Sequence, residues 1–250
     1  MQSWIAVEVE QGTAVVSMQR PPANAIDIAL LTELSTTLRE LEQPSDVTAM
    51  VLTGAGKAFS AGLDLKLVPT YDRSQQNELL RILNQALYQL YALPIPTVAA
   101  VNGHAIAGGL VLALACDMRV AIDAGALLGL TEVRAGVPFP VAAMAVVKAE
   151  LPATTARELV LGGKNHDSSR ALALAMVDEL RPAEQVVARS KAVARDLAAA
   201  PRESYGRIKR QLRQAAIAEI ERAQGAADPL HGNWIGQETV AAAARVLRGG

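Results

Sequence analysis

Twenty consecutive residues, Thr97 to Cys116, carry no formal charge, and that run restricts the possible folds more than any other part of the chain. Its length is that of a bilayer-spanning helix. Asn102, Gly103, His104, Gly108 and Gly109 interrupt it, Pro94 and Pro96 precede it, and Asp117 and Arg119 follow it. It therefore reads as a buried strand, a glycine turn and a buried helix, with no membrane insertion expected. Met1 to Glu8 holds no basic stretch and no long apolar run, so no secretory signal is expected and the chain is taken as cytoplasmic.

The same strand-then-helix rhythm runs through the first part of the sequence. Ala6–Val9 and Ala14–Met18 are short β-like runs flanking Gln11-Gly12, which suits a hairpin turn. Ile28, Leu31, Leu34, Leu38 and Leu41 fall at steps of three and four, a helix with Asp27 as N-cap. Thr48–Thr53 and Met118–Ile122 have strand length, and Leu79–Leu93 is helix-patterned up to Pro94. Gly125–Pro140 is rich in glycine and proline and reads mostly as loop. Helices are expected at Val141–Ala149, Ala153–Leu161, Ser168–Ala175, Glu184–Ala199 and Pro201–Gln224, and the last 60 or so residues carry no strand signal. An α/β core followed by a helical C-terminal region results.

Composition excludes several classes. Among 250 residues, Lys+Arg is 24 and Asp+Glu 25, so a net charge of -1 gives no pull toward nucleic acid or an anionic membrane. Apolar residues at 51 % against 20 % charged exclude a disordered chain. One cysteine, Cys116, excludes a disulfide framework and a four-cysteine zinc site; three scattered histidines give no HExxH, and no metal is expected.

Two segments can carry chemistry. Lys57–Leu65 follows the strand ending at Thr53, and its small residues Ser60, Ala61 and Gly62 let backbone N–H groups approach a ligand. Spacing alone favours an ordinary strand-to-helix turn. Val101–Val111 repeats strand, glycine turn and helix. It lacks G-x-G-x-x-G and any following Gly-Lys-Ser/Thr, so neither a dinucleotide fingerprint nor a phosphate loop is present; close packing of helix on sheet accounts for it as well. Two loops that each donate one N–H can together form an oxyanion hole, in which loss of one donor raises a barrier by about 3 to 4 kcal/mol.

At Ala58–Leu65, Ala100–Gly109, Ala115–Arg119, Gly129–Pro138, Glu158–Lys164 and Ala171–Asp178 the chain resembles the crotonase superfamily, the enoyl-CoA hydratase/isomerase family, in family order over nearly its whole length. The resemblance implies a spiral of ββα units over residues 1–190 that holds the CoA and acyl site, and a helical trimerisation region over 191–250. It implies a homotrimer or a dimer of trimers, and an acyl-CoA thioester as ligand. The coenzyme A belongs to the substrate, and no separate cofactor is expected. The oxyanion hole would use the N–H groups of Leu63 and Gly108. CoA would lie across Ala23, Ala25 and Ile26 and the strand end at Ala61, Asp64 and Leu65, near Gly109. Lys66 would reach the CoA phosphates or ribose, or simply face solvent. Trp234, beside the last helix, is a candidate for the acyl tunnel or an interface.

The acid–base inventory separates the reactions. Family hydratases use two glutamates, one of them three residues after the oxyanion glycine, where this chain has Val111; Glu132 is retained at the second position. Hydration needs water activation and proton delivery, two coordinated roles. A shift of a double bond from C3 to C2 needs one base that also returns the proton, the pattern of the family's Δ3,Δ2-enoyl-CoA isomerases. The resemblance thus favours such an isomerase with Glu132 as base and acid, its pKa raised by Val111, Leu128 and Leu130. A hydratase and a catalytically weak acyl-CoA-binding protein are the alternatives, and a structural ion pair with Arg134 is the alternative role for Glu132. Phe139 is expected along the acyl pocket or as loop stiffening, and Met144 and Met176 in core or pocket. His104 is expected as a hydrogen-bonded wall, Asp64 and Asp117 as structural braces, and Cys116 as a small buried residue. Arg202, Arg207, Lys209, Arg210 and Arg213 read as a solvated helix face.

Overall fold

The computed structural model describes residues 3–43, 45–223 and 228–248. β1 (Ile5–Glu10) and β2 (Thr13–Met18) form the expected hairpin. Its two turn residues, Gln11 and Gly12, have φ of 49° and 75°, the left-handed geometry that matches the twist of paired strands. α1 (Ile28–Glu42) starts where Asp27 accepts a hydrogen bond from the Leu30 amide at 2.8 Å, and it buries Leu30, Leu31, Leu34, Leu38 and Leu41.

From there the chain winds as a spiral. Each turn lays one strand in a large sheet and the next in a small one, then crosses back by a helix. The large-sheet strands are β3 (Ala49–Gly54), β5 (Thr97–Val101) and β7 (Met118–Ile122), and the small-sheet strands are β4 (Ala58–Ser60), β6 (His104–Ile106) and β8 (Leu127–Gly129). The crossings are α2 (Arg73–Ala92), α3 (Gly108–Leu114) and, after β8, α4 (Glu132–Ala135), α5 (Val141–Glu150) and α6 (Ala153–Gly162). β9 (His166–Asp167) joins the small sheet and, after α7 (Ser168–Ala173), β10 (Glu179–Arg181) joins the large one. The orders are β1-β2-β3-β5-β7-β10 and β4-β6-β8-β9. α8 (Val186–Ala198), α9 (Arg202–Leu212), α10 (Gln214–Arg222) and α11 (Gln237–Arg248) follow. Thr97–Cys116 is thus divided among β5, β6 and α3, and no helix among the described residues is long and apolar enough to cross a membrane.

Several boundaries differ from the sequence expectation. α2 begins at Arg73, not Leu79, because Asp72 and Gln75 form a reciprocal capping box. Gly125–Pro140 is mostly loop, as expected, but it also holds the short β8 and α4. The expected helix Pro201–Gln224 is two helices that meet at Arg213, and Gln224 lies outside the described residues.

The basic run on α9 needs a larger correction. Arg207 and Arg210 are exposed, but Lys209 and Arg213 are only 7 % and 5 % exposed. Tyr205, Lys209 and Arg213 follow one another at four-residue steps, so they share a helix face turned inward. They meet at Asp117, whose carboxylate receives Lys209 Nζ at 2.8 Å, Arg213 Nη1 at 2.9 Å, the Tyr205 hydroxyl at 2.9 Å and the Thr97 amide at 2.8 Å. Asp117 is the structural brace expected, and its carboxylate holds partners 88 to 96 positions further along the chain and the Thr97 amide 20 positions back. Cys116 beside it is fully buried, and burial pushes its thiol up to about 12, which leaves it inert.

A second knot ties the C-terminal segment to the core. Asp228 accepts from Asn84 Nδ2 at 2.8 Å and from the Val141 amide at 3.1 Å. Arg73 and Asn77 bond the backbone of Gly232, and Gln76 accepts from the Ile235 amide. Residues 228–235 are thereby strapped along α2 between Arg73 and Asn84.

Candidate active site

β4, β6 and β8 run parallel, so their C-terminal ends share one edge of the small sheet. β9 is antiparallel to β8, so the residues entering it stand at that edge too. Four short segments line up there: Ala61–Leu63 after β4, Ala107-Gly108 after β6, Leu130–Glu132 after β8, and Gly163–Asn165 before β9. At the usual strand spacing the row is about 14 Å long. All four segments contribute walls to one cavity of about 530 Å³. Ile26, Leu65, Val111, Phe139 and Trp234 also line it, as do Leu83 and Leu87 of α2.

Leu63 faces Ile26 across a single parallel bridge. Ile26 donates to the Gly62 carbonyl at 2.7 Å and accepts from the Asp64 amide at 2.9 Å, so the Leu63 N–H points away from that ladder. Gly108 opens α3 and its N–H has no intrahelical acceptor. Among the described residues neither amide donates a hydrogen bond. The two loops touch: a Cβ on Gly62 would stand 3.1 Å from the Gly108 nitrogen. Ala107, between β6 and α3, has φ 52° and ψ −126°, a conformation that strains an L-residue by about 1–3 kcal/mol.

Glu132 lines the cavity, is 8 % exposed, and its Oε2 has no hydrogen-bond partner among the described residues. Burial pushes its carboxyl up to about 8, against a smaller opposing effect of its own backbone amide. No cation offsets the burial. Arg134, the alternative ion-pair partner, donates instead to the carbonyls of Gly163 and Gly162. Glu132 is the only carboxylate among the described residues that line the cavity.

Nine of the candidate residues line the cavity: Ile26, Ala61, Leu63, Leu65, Gly108, Val111, Glu132, Phe139 and Trp234. Five do not. Ala23 and Ala25 use their carbonyls to hold the Ala61 amide and Arg20. Asp64 braces its own turn through the Lys66 and Leu67 amides and pairs with Arg20 at 2.8 Å. Burial works to raise its pKa, but Arg20 and those amides outweigh it and hold the carboxyl below the usual range. Lys66 is exposed. Gly109 is turned toward β4, where an added Cβ would stand 2.2 Å from the Ser60 carbonyl oxygen. Gly109→Ala is accordingly expected to lower stability by about 1–3 kcal/mol, read from a urea melt, because neither α3 nor β4 has room to yield.

His104 is hydrogen-bonded as expected, its Nδ1 accepting from the Leu127 amide at 3.0 Å, but it does not line the cavity. Trp234 donates from Nε1 to the Pro138 carbonyl at 2.8 Å, which fixes its ring as a wall of the cavity. Leu83 and Leu87 were visible only as part of an apolar helix stripe, because periodicity does not distinguish a core contact from a cavity wall. Gly163 and Lys164 fall in a segment that carries the family resemblance, but nothing local marks Gly163–Asn165 as cavity wall, since the two-residue β9 that positions them is too short to alternate.

Comparison with known proteins identifies relatives in sequence and fold. A sequence model described as Enoyl-CoA hydratase/isomerase matches residues 8–242. A probable enoyl-CoA hydratase of Mycobacterium avium is 34 % identical over 215 residues, 86 % of this chain and 82 % of that protein. A putative enoyl-CoA hydratase of Thermus thermophilus is 38 % identical over 197 residues, 77 % of each. The crystal structure of human mitochondrial Δ3-Δ2-enoyl-CoA isomerase superposes with a TM-score of 0.91 at 26 % identity, covering 98 % of this chain and 97 % of that one.

Proposed function

Because the chain belongs to the enoyl-CoA hydratase/isomerase family, we propose that it moves the double bond of a 3-enoyl-CoA to the 2-position, with Glu132 as sole base and acid. The Glu132 carboxylate takes a proton from C2. The resulting dienolate places its charge on the thioester oxygen, where the Leu63 and Gly108 N–H groups receive it. Glu132 then returns the proton to C4. The protons balance on one carboxyl group, and the coenzyme A is part of the substrate, so the cycle calls for no further cofactor.

The observation that carries this reading is a lone, unpartnered, buried carboxylate in a cavity faced by two amides with no acceptor of their own. Val111, which has no proton to move, lines the cavity, and by the family resemblance its position is the one at which hydratases carry a second glutamate. The two bacterial relatives, described as enoyl-CoA hydratases, favour hydration as the second reading. The family resemblance also implies a homotrimer or a dimer of trimers. Such association would cover Ile208 and Leu212, one turn apart on α9 and 63 % and 84 % exposed.

The test is a panel of 3-enoyl and 2-enoyl thioesters of varied chain length. Isomerisation of the former without steady hydration of the latter supports the proposal, and the reverse overturns it. The pH profile supplies a second check. A base with a pKa of about 8 must lose its proton to act, so kcat/KM should climb about tenfold per pH unit below 8 and level off above it.

A further inference from the structure

We propose that Ala107 is a positioning residue whose methyl group sets the gap between the Leu63 and Gly108 amides. Its left-handed φ of 52° does not call for a side chain; glycine would adopt it without strain. What the methyl adds is contact. Ala107 lines the cavity, and a Cβ on Gly62 would stand 3.0 Å from the Ala107 methyl carbon, so the backbone just before Leu63 rests against that methyl. Gly62 has no side chain to act as a spacer from the other side.

The rest of Ala107 is held rigidly. Its N–H donates to the Gly129 carbonyl at 2.7 Å, at the end of β8, three residues before Glu132. Its carbonyl accepts from the Val111 amide at 3.1 Å, in the first turn of α3. One residue therefore joins the loop that offers the Leu63 amide, the helix that offers the Gly108 amide and the strand that delivers Glu132. The loop is also held by the Ile26 bonds to Gly62 and Asp64, and the Ile106 carbonyl oxygen stands 2.8 Å from the same Cβ position; removal of the methyl leaves the side toward Gly108 open, and the Gly62 backbone tilts into that gap about the Ile26 bonds. The two N–H groups then no longer converge at the spacing a single oxygen requires, and water gains room beside the thioester.

The role assigned to Ala107 depends on the oxyanion-hole part of the proposed function, not on the choice between isomerisation and hydration. Two variants separate the methyl from the backbone: Ala107→Gly removes Cβ, and Ala107→Ser keeps it. Ala107→Gly should fold with a melting temperature no lower than wild type to within a few degrees, show kcat about ten- to a hundredfold lower, and keep its KM. Ala107→Ser should stay close to wild type.

Binding gives a readout independent of turnover. Acetoacetyl-CoA, which forms a conjugated enolate with its own near-ultraviolet absorbance, should lose affinity and enolate absorbance on Ala107→Gly, whereas saturated butyryl-CoA should not. Wild-type levels of both kcat and enolate signal in Ala107→Gly would overturn the proposal, as would Ala107→Ser falling as far as Ala107→Gly. If wild type isomerises nothing yet shows the enolate signal and loses it on Ala107→Gly, the isomerase reading fails and the role of Ala107 stands. Absence of any enolate signal in a turning-over wild type would remove both the oxyanion hole and its spacer.

Discussion

Glu132→Gln is expected to cut turnover of a 3-enoyl thioester by about 10²- to 10⁴-fold, the usual contribution of a positioned acid–base group, and at the same time to make the protein more stable. The two effects have one cause. The native carboxyl has a pKa of about 8 and an ordinary value of 4.5 when unfolded. Below pH 4.5 both states are protonated and nothing is lost. Between 4.5 and 8 the unfolded chain has released the proton and the native one has not, so native stability falls as pH rises, by about 1.4 kcal/mol per unit. Above 8 the full penalty remains. Glutamine has no proton to release. The melting temperature of Glu132→Gln should match wild type near pH 4.5 and exceed it increasingly up to pH 8. Full activity in the variant would remove Glu132 from the mechanism, and parallel melting curves across that range would remove the burial that tunes it.

Asp117→Asn is expected to lower stability by about 3–5 kcal/mol, because it leaves Lys209 buried without an anion and Arg213 with Glu150 alone. For a chain of this length that is a fall in melting temperature of order 10 °C. Lys209 already has its pKa lowered by burial, which Asp117 partly offsets. In the variant its amine should give up its proton on folding. The unfolded chain then binds more protons than the native one below the ordinary lysine pKa, so the deficit should shrink as pH rises. Adding Lys209→Met should recover part of the loss at neutral pH, the signature of coupled residues in a double-mutant cycle. A change within 1 kcal/mol for Asp117→Asn would mean that the network is relaxed by water and not buried as described.

What the sequence revealed follows a physical divide. Asp27 with its leucine stripe, and Gln11-Gly12 between two β-like runs, are local signals whose partners lie a few residues away, and both elements form as read. Glu132, Leu63 and Gly108 were singled out through the family resemblance, and they share a cavity wall. The small sheet was not legible, because its strands are two or three residues long and no alternation can show in them. Lys209 and Arg213 were misjudged as solvated because the anion that buries them lies more than ninety positions upstream. Asp72 and Gln75 were a readable capping signal that went unused at the start of α2.

The strap of residues 228–235 has a consequence for how the molecule is made. Trp234 leaves the ribosome about a hundred residues after Glu132, an interval of about 5–20 s at ordinary translation rates. Through that interval a nascent chain owns its acid but not the wall beside it. The pocket is completed only as synthesis nears Trp234, so any enzymatic competence would be postponed until that residue has emerged.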